Sequence, residues 1–223
     1  MHPLDNPVWA SLHGDHAALA RRAGQVVRYP ADVAPFVAVA DPGAGATAQA
    51  EQLVDEGELV CFVGTAPPLS AAWRVEQSVA IAQMTCARRL EVAAGTAVTE
   101  LSDDHLGDLL ELTALVYPHY FRNRTRCMGR YIGLYDGGRL AAMAGERMRF
   151  DGHTEISAVC THPDHVGRGH AQRLVAILTN DILAAGRLAF LHVSHDNLRA
   201  KRLYERLGYA WRTDIPLLAV TRL

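Results

Sequence analysis

The sequence predicts an α/β (α+β) fold, on three observations. Apolar runs of strand length alternate with helical segments along the whole chain. The helical segments carry start and stop residues: Asn6, Ser102 and Asn197 stand where caps are needed, and Gly24, Gly57, Gly186 and Gly208 where helices must end. Two apolar runs around Asp136, Gly137 and Gly138 make a hairpin, because consecutive glycines supply the positive φ of a tight turn.

Taken in order, "NPVWASL" is a short helix with Pro7 at its first position, where a missing N–H costs nothing. "HAALARRAG" reads as a second helix, closed by Gly24. "QVVRY" and "FVAVA" are strands, "GATAQAEQLVDEG" a helix ended by Gly57, and "ELVCFVG" a strand. The alternating "WRVEQSVAIAQMTC" supplies one or two more strands. Alanine and glycine in "VAAGTAV" interrupt the pattern and set a boundary, leaving residues 1–96 as an N-terminal α/β region and 97–223 as a second domain. There, "SDDHLGDLLELTALVY" is a helix with acidic residues in its first turn, where they suit the helix dipole. The hairpin and the strand "TEISAVCT" follow, then a helix from His170 to Ala185 whose Leu174, Val175, Leu178 and Ile182 share one face. "LAFLHV" is a strand, Asn197 opens a helix through "LRAKRLYERL", and "YAWR" and "PLLAV" are closing strands.

The totals narrow the classes of function. At 223 residues the chain can bury a substantial core, and 49% hydrophobic with 21% charged residues is ordinary for a globular protein. A net charge of −2 gives no basic field for nucleic acid. Cys61, Cys86, Cys127 and Cys160 stand singly, with no metal spacing, and read as buried thiols of a reducing compartment. No signal peptide or membrane span is expected, so the expected location is cytoplasmic. His162, His165 and His170 lie along one turn rather than converging, so no metal is expected there.

The stretch "AVCTHPDHVGRGHAQRLV" carries the chemistry. An apolar strand turns into a helix through Gly167, Arg168 and Gly169. A helix start leaves its first N–H groups without partners, and together with the dipole they form an anion site. Glycine there permits unusual dihedrals and a close backbone approach. Gly167, Arg168, Gly169, His170, Ala171 and Gln172 are the candidate cradle for a pyrophosphate. The run lacks the GK[ST] ending of a nucleotide loop and the three-glycine dinucleotide fingerprint.

"THPDHVGRGHAQRL" resembles the acyl-CoA signature of the GNAT superfamily of N-acetyltransferases, with Val166 where the family usually has Arg or Gln. "FLHVSHDNLRAKRLYERLGY" resembles the family's closing strand and helix. The resemblance covers about residues 99–221. "AMAGERM" and "TEISAVCTHP" look closest to the branch related to glycine N-acyltransferases, and the first half resembles the N-terminal region of bacterial proteins in that branch, a candidate degenerate copy of the fold. The resemblance implies a mixed, mostly antiparallel sheet with two parallel strands splayed apart, and acetyl-CoA as co-substrate. The pantetheine arm would lie in the split, bonded to backbone groups of Val159 and Thr161 with Cys160 between them, and Asn197 matches a CoA-contacting position.

The reaction implied is transfer of an acetyl group from a thioester to an amine. A protonated amine has no lone pair, so a base or a desolvated site must help it lose a proton. Glu155, fourteen residues before Gly169, matches the catalytic Glu of histone-type members and is the first candidate base. A solvated strand-end carboxylate is the alternative. His192 replaces a Glu that serves as base in ribosomal-protein-type members and is the second; Glu146 is a third. Tyr204 matches the tyrosine near the CoA sulfur and is the candidate acid, two helical turns after Asn197. Arg122, Arg124 and Arg126 of "FRNRTR" are candidates for an acidic acceptor or the adenosine phosphate, or a solvated loop. The expected acceptor is a small-molecule amine or amino acid. An acyl-CoA-binding sensor or scaffold without turnover is the rival reading.

Overall fold

The computed structural model describes residues 2–43, 45–116, 118 and 120–223. Helix α1 (Pro7–His13) starts at Pro7 as expected, but the Asn6 side chain does not cap it. Its amide donates to the Val39 carbonyl at 2.8 Å, tying the helix to the sheet. The segment read as a second helix is a 3-10 turn at Ala17–Leu19 followed by strand β1 (Arg21–Ala23), which pairs with β2 (Val26–Arg28). Gly24, at φ +55, makes the turn between them rather than closing a helix. Cross-strand pairing outweighs the helix propensity of the alanines and arginines here.

Strand β3 (Phe36–Val39), helix α2 (Ala46–Leu53) and strand β4 (Leu59–Val63) form a β-α-β crossover unit with a parallel β3–β4 pair. Helix α2 stops short of Gly57, because Val54 turns extended. "WRVEQSVAIAQMTC" is one strand, β5 (Trp73–Cys86). After the short β6 (Thr99–Glu100) comes helix α3 (Leu106–Val116), entered through a 3-10 turn capped by Ser102; Tyr117, at the end of the expected helix, lies outside the described residues. The hairpin is β7 (Tyr131–Asp136) and β8 (Arg139–Phe150), with Gly137 and Gly138 at φ +58 and +82. Strand β9 (His153–Thr161), helix α4 (His170–Ala184), strand β10 (Leu188–Ser194) and helix α5 (Leu198–Leu207) follow. The chain closes with one long strand, β11 (Ala210–Arg222), where two were expected; an irregularity at Arg212 joins them.

All eleven strands form one mixed sheet in the order β1-β2-β3-β4-β11-β5-β10-β9-β8-β7-β6. Strand β5, from the first part of the chain, lies between β10 and β11 of the second. One face of the sheet carries α4 and α5, packed on Ile156, Ala189, Leu191 and Val193, and α2, packed on Val37, Val60 and Phe62. The opposite face carries α1, over Phe36, Cys61 and Phe190, and α3, over Met143 and Cys160. Cys61, Cys86 and Cys160 are buried as expected, whereas Cys127 is exposed on a 3-10 turn. Among the described residues no helix is long and apolar enough to cross a membrane.

Candidate active site

The parallel pair β9–β10 is registered only at Leu188–His153, Ala189–Thr154 and Phe190–Glu155. Beyond that point β10 continues along β5 and β9 along β8, so the two strands part. A bulge in β9 shapes the opening. Met143 and Gly145 of β8 pair with Cys160 and Ser157, which leaves one extra residue in β9, and Ala158 absorbs it at φ +50. The bulge resets the alternation: Ile156 and Val159 both face α4 and α5, while Cys160 faces α3. Ala158→Val is expected to destabilise by about 2 kcal/mol, because a β-branched residue resists the left-handed region. Thermal unfolding checks it: Tm should fall by about 6 °C for a chain of this size.

Two cavities open at the split. One, of about 370 Å³, runs over the start of α4 and is lined by Val159, Thr161, Gly167, Gly169, His170, Ala171, Gln172 and Asn197 among others. Eight of the ten predicted carrier-binding residues thus come together. Gly169 caps α4 at φ +78 and Gly167 stands at φ +89, with open space where either would carry a Cβ. Their requirement is therefore dihedral, and the space above the amides is clear. The first bond into the helix is Arg173 N–H to Gly169 O at 3.0 Å, so the N–H groups of His170, Ala171 and Gln172 have no helical acceptor. The buried Nε2 of His170 also has no partner among the described residues. Open amides and an orphaned imidazole nitrogen fit an anion such as the diphosphate of CoA.

The other predicted residues are placed differently. Arg168 turns its guanidinium to Asp136 at 3.1 Å and to the Asp164 carbonyl, and lines neither cavity. Cys160 borders the second cavity, and burial pushes its thiol up to about 12. Arg124 and Arg126 pair with Asp32 and Asp103 and, like Arg122, stand outside both cavities; Glu146 does too. Arg199 and Arg206 of α5, which the sequence did not single out, line the carrier cleft instead. His162, His165 and His170 stand ring to ring at 5.7 and 6.3 Å, and among the described residues no three His, Cys, Asp or Glu side chains converge on a metal position.

The second cavity, of about 310 Å³, lies deeper in the split. Both cavities share Val116, Val159, Asn197, Ala200 and Tyr204, so they meet at one seam. Asn197 also caps α5, its Oδ1 accepting from Ala200 N–H at 3.1 Å. Tyr204 is 7% exposed.

At the apex of the split a polar row crosses five adjacent strands. Glu155 is fully buried, not a solvated strand end. Its Oε1 accepts from Arg147 Nη2 at 2.6 Å and His192 Nδ1 at 2.7 Å, and its Oε2 accepts from Arg147 Nε at 2.8 Å. A second bulge, in β8 between Glu146 and Arg149, aims Arg147 at it. Burial pushes the carboxyl up, but the Arg147 charge and the hydrogen bonds from Arg147 and His192 outweigh this and hold it at about 2. His192 Nε2 lies 3.0 Å from Gln83 Nε2, its directly opposite neighbour on β5. Arg212 Nη1 donates to Gln83 Oε1 at 2.7 Å, and Gln83 Nε2 donates to the Leu4 carbonyl at 2.8 Å. These partners fix the amide orientation, so the Gln83 N–H points at His192 Nε2. His192 therefore keeps its proton on Nδ1 and gives it to Glu155. Arg147, Gln83 and Arg212 were not visible as site residues in the sequence, since only strand register makes them neighbours.

Comparison with known proteins now bears on this geometry. The crystal structure of a GNAT-family protein from Novosphingobium aromaticivorans DSM 12444 is 32% identical to this chain, covers 100% of both chains and superposes with a TM-score of 0.91. This chain belongs to the GNAT family. The model of the family described as FR47-like protein matches residues 131–215, which run from β7 into β11. A GCN5-related N-acetyltransferase from Kribbella flavida, 20% identical over 98% of this chain and 95% of its own, shares the GNAT fold with a TM-score of 0.65. Comparison with curated proteins gives no match.

Proposed function

We propose that this GNAT protein transfers the acetyl group of acetyl-CoA to a primary amine by direct attack in a ternary complex. The observation that carries the reading is the seam at Val159, Asn197 and Tyr204, where a cleft with open helix amides meets a second, deeper cavity. The carrier takes the α4 cleft and the amine the deeper one. Residues 97–223 supply the carrier cleft; residues 1–96 contribute Phe36, Val63, Gln77 and Ile81 to the acceptor wall. The amine nitrogen forms the C–N bond as the C–S bond breaks, and backbone N–H groups on the splayed β9 steady the oxyanion. Tyr204 gives the departing sulfur its proton.

The base candidates take a supporting part in this reading. Every Glu155 oxygen is committed to Arg147 or His192, and the His192 lone pair faces Gln83. We assign Glu155 to holding Arg147 and His192 at the apex, and His192 to the acceptor wall. The amine then reacts as the free base, favoured because a cavity with no carboxylate among its described lining residues gives its ammonium form no partner, and its surplus proton leaves to water. The test is release of CoA thiol with an amine panel. kcat/KM should rise tenfold per pH unit until the acceptor's own pKa, about 10.4 for a lysine-like amine. A plateau near neutrality, lost in His192→Gln, would return the proton to His192. Tyr204→Phe should lower kcat about 100-fold with little change in the KM of acetyl-CoA. Carrier binding without thiol release across the whole panel would favour the sensor.

A further inference from the structure

We infer that the acceptor is a monoamine on an apolar body, with no second cationic group; this rests on the acetyl-transfer reading above. The apolar part of the acceptor wall includes Phe36, Val63, Ile81, Ile156 and Leu217, drawn from five different strands. Its polar groups are the amides of Gln77 and Asn197, hydroxyls, a thiol, an imidazole and one guanidinium, that of Arg147. Among the described residues that line it there is no carboxylate. Glu155, which is bonded to the lining residues Arg147 and His192, is fully buried and already neutralised by Arg147. A diamine, polyamine or aminoglycoside would bring a second ammonium into a site whose lining offers it no anion. Such a charge is costly to desolvate without a partner. An aryl or branched alkyl body instead gains affinity in proportion to the apolar surface it buries. At about 310 Å³ the cavity stands at the small end of ligand sites, which suits one short apolar substituent.

The experiment uses the full chain with phenethylamine, isoamylamine, putrescine and spermidine. One arm measures CoA release with acetyl-CoA at a pH that leaves a fixed fraction of each amine neutral. The other measures the shift in Tm that each amine gives the CoA-loaded protein. The monoamines should show kcat/KM at least 100-fold above the diamine and polyamine, and should alone raise Tm. Gln77 is exposed and lines the wall, so Gln77→Glu supplies the missing anion; it should narrow the gap about tenfold. Putrescine or spermidine turned over as well as the monoamines overturns the inference and leaves acetyl transfer standing. No release with any amine, with Tm shifts from monoamines alone, removes the transfer reading and supports the inference about the cavity. No amine shifting Tm or releasing CoA overturns both.

Discussion

Ala171→Asp should abolish uptake of acetyl-CoA while leaving the fold at least as stable. Ala171 is the second residue of α4, on the floor of the carrier cleft, and its N–H has no helical acceptor. A carboxylate there meets the positive end of the dipole, which favours the folded helix by about 0.3–1 kcal/mol. It also claims the position of the incoming diphosphate. Two unit charges about 4 Å apart at an effective dielectric near 20 repel by about 4 kcal/mol. Since about 1.4 kcal/mol is a tenfold change, the carrier's Kd should rise on the order of 100-fold or more. Calorimetry of acetyl-CoA binding reads the loss, and thermal unfolding reads the unchanged or raised Tm. Ala171→Asn, similar in shape and uncharged, should keep most of the affinity. Binding by the Asp variant within threefold of the original would remove the diphosphate from the α4 terminus.

Glu155→Gln should cost stability, and the cost should depend on pH. The substitution keeps the shape but leaves the Arg147 guanidinium, 14% exposed, without its counter-ion. Removing one member of a buried pair costs about 3–5 kcal/mol, so Tm should fall by about 10 °C in a chain of this length. The sign of the pH effect follows from the carboxyl's fall from 4.5 to about 2 on folding. A depressed carboxyl contributes stability that is present above its unfolded value and fades as the pH drops through its folded one. The gap between the original and the Gln variant should therefore be full above about pH 4.5 and shrink towards about pH 2. Urea unfolding at pH 7, 4 and 3 measures it; a constant gap would mean that Glu155 is not ionised in the fold. Because Glu155 joins β8, β9 and β10 where the split begins, the variant should also weaken carrier binding.

The Ala158 bulge shows why only part of the site was legible. Alternation along "TEISAVCT" identifies a strand but cannot reveal that one residue is looped out against β8, since the partner strand sets the count. That single extra residue decides that Val159 faces the carrier cleft and Cys160 faces α3. The same blindness hid Arg147, Gln83 and Arg212, and it let "HAALARRAG" pass for a helix. Much of the α4 cleft was readable because its residues from 159 to 172 lie within one short run of chain. Glycine dihedrals, a helix start and an N-cap are local properties, so Gly167, Gly169 and Asn197 announced themselves.

By itself the sequence determined the helices of the second part, the hairpin and the glycine turn into α4, because each depends on residues a few positions apart. The tertiary structure alone decided that β5 enters between β10 and β11, that Glu155 is sealed rather than solvated, and that residues from the first part wall the acceptor cavity. Those features depend on which distant strands become neighbours, and only burial of the whole sheet selects that pairing.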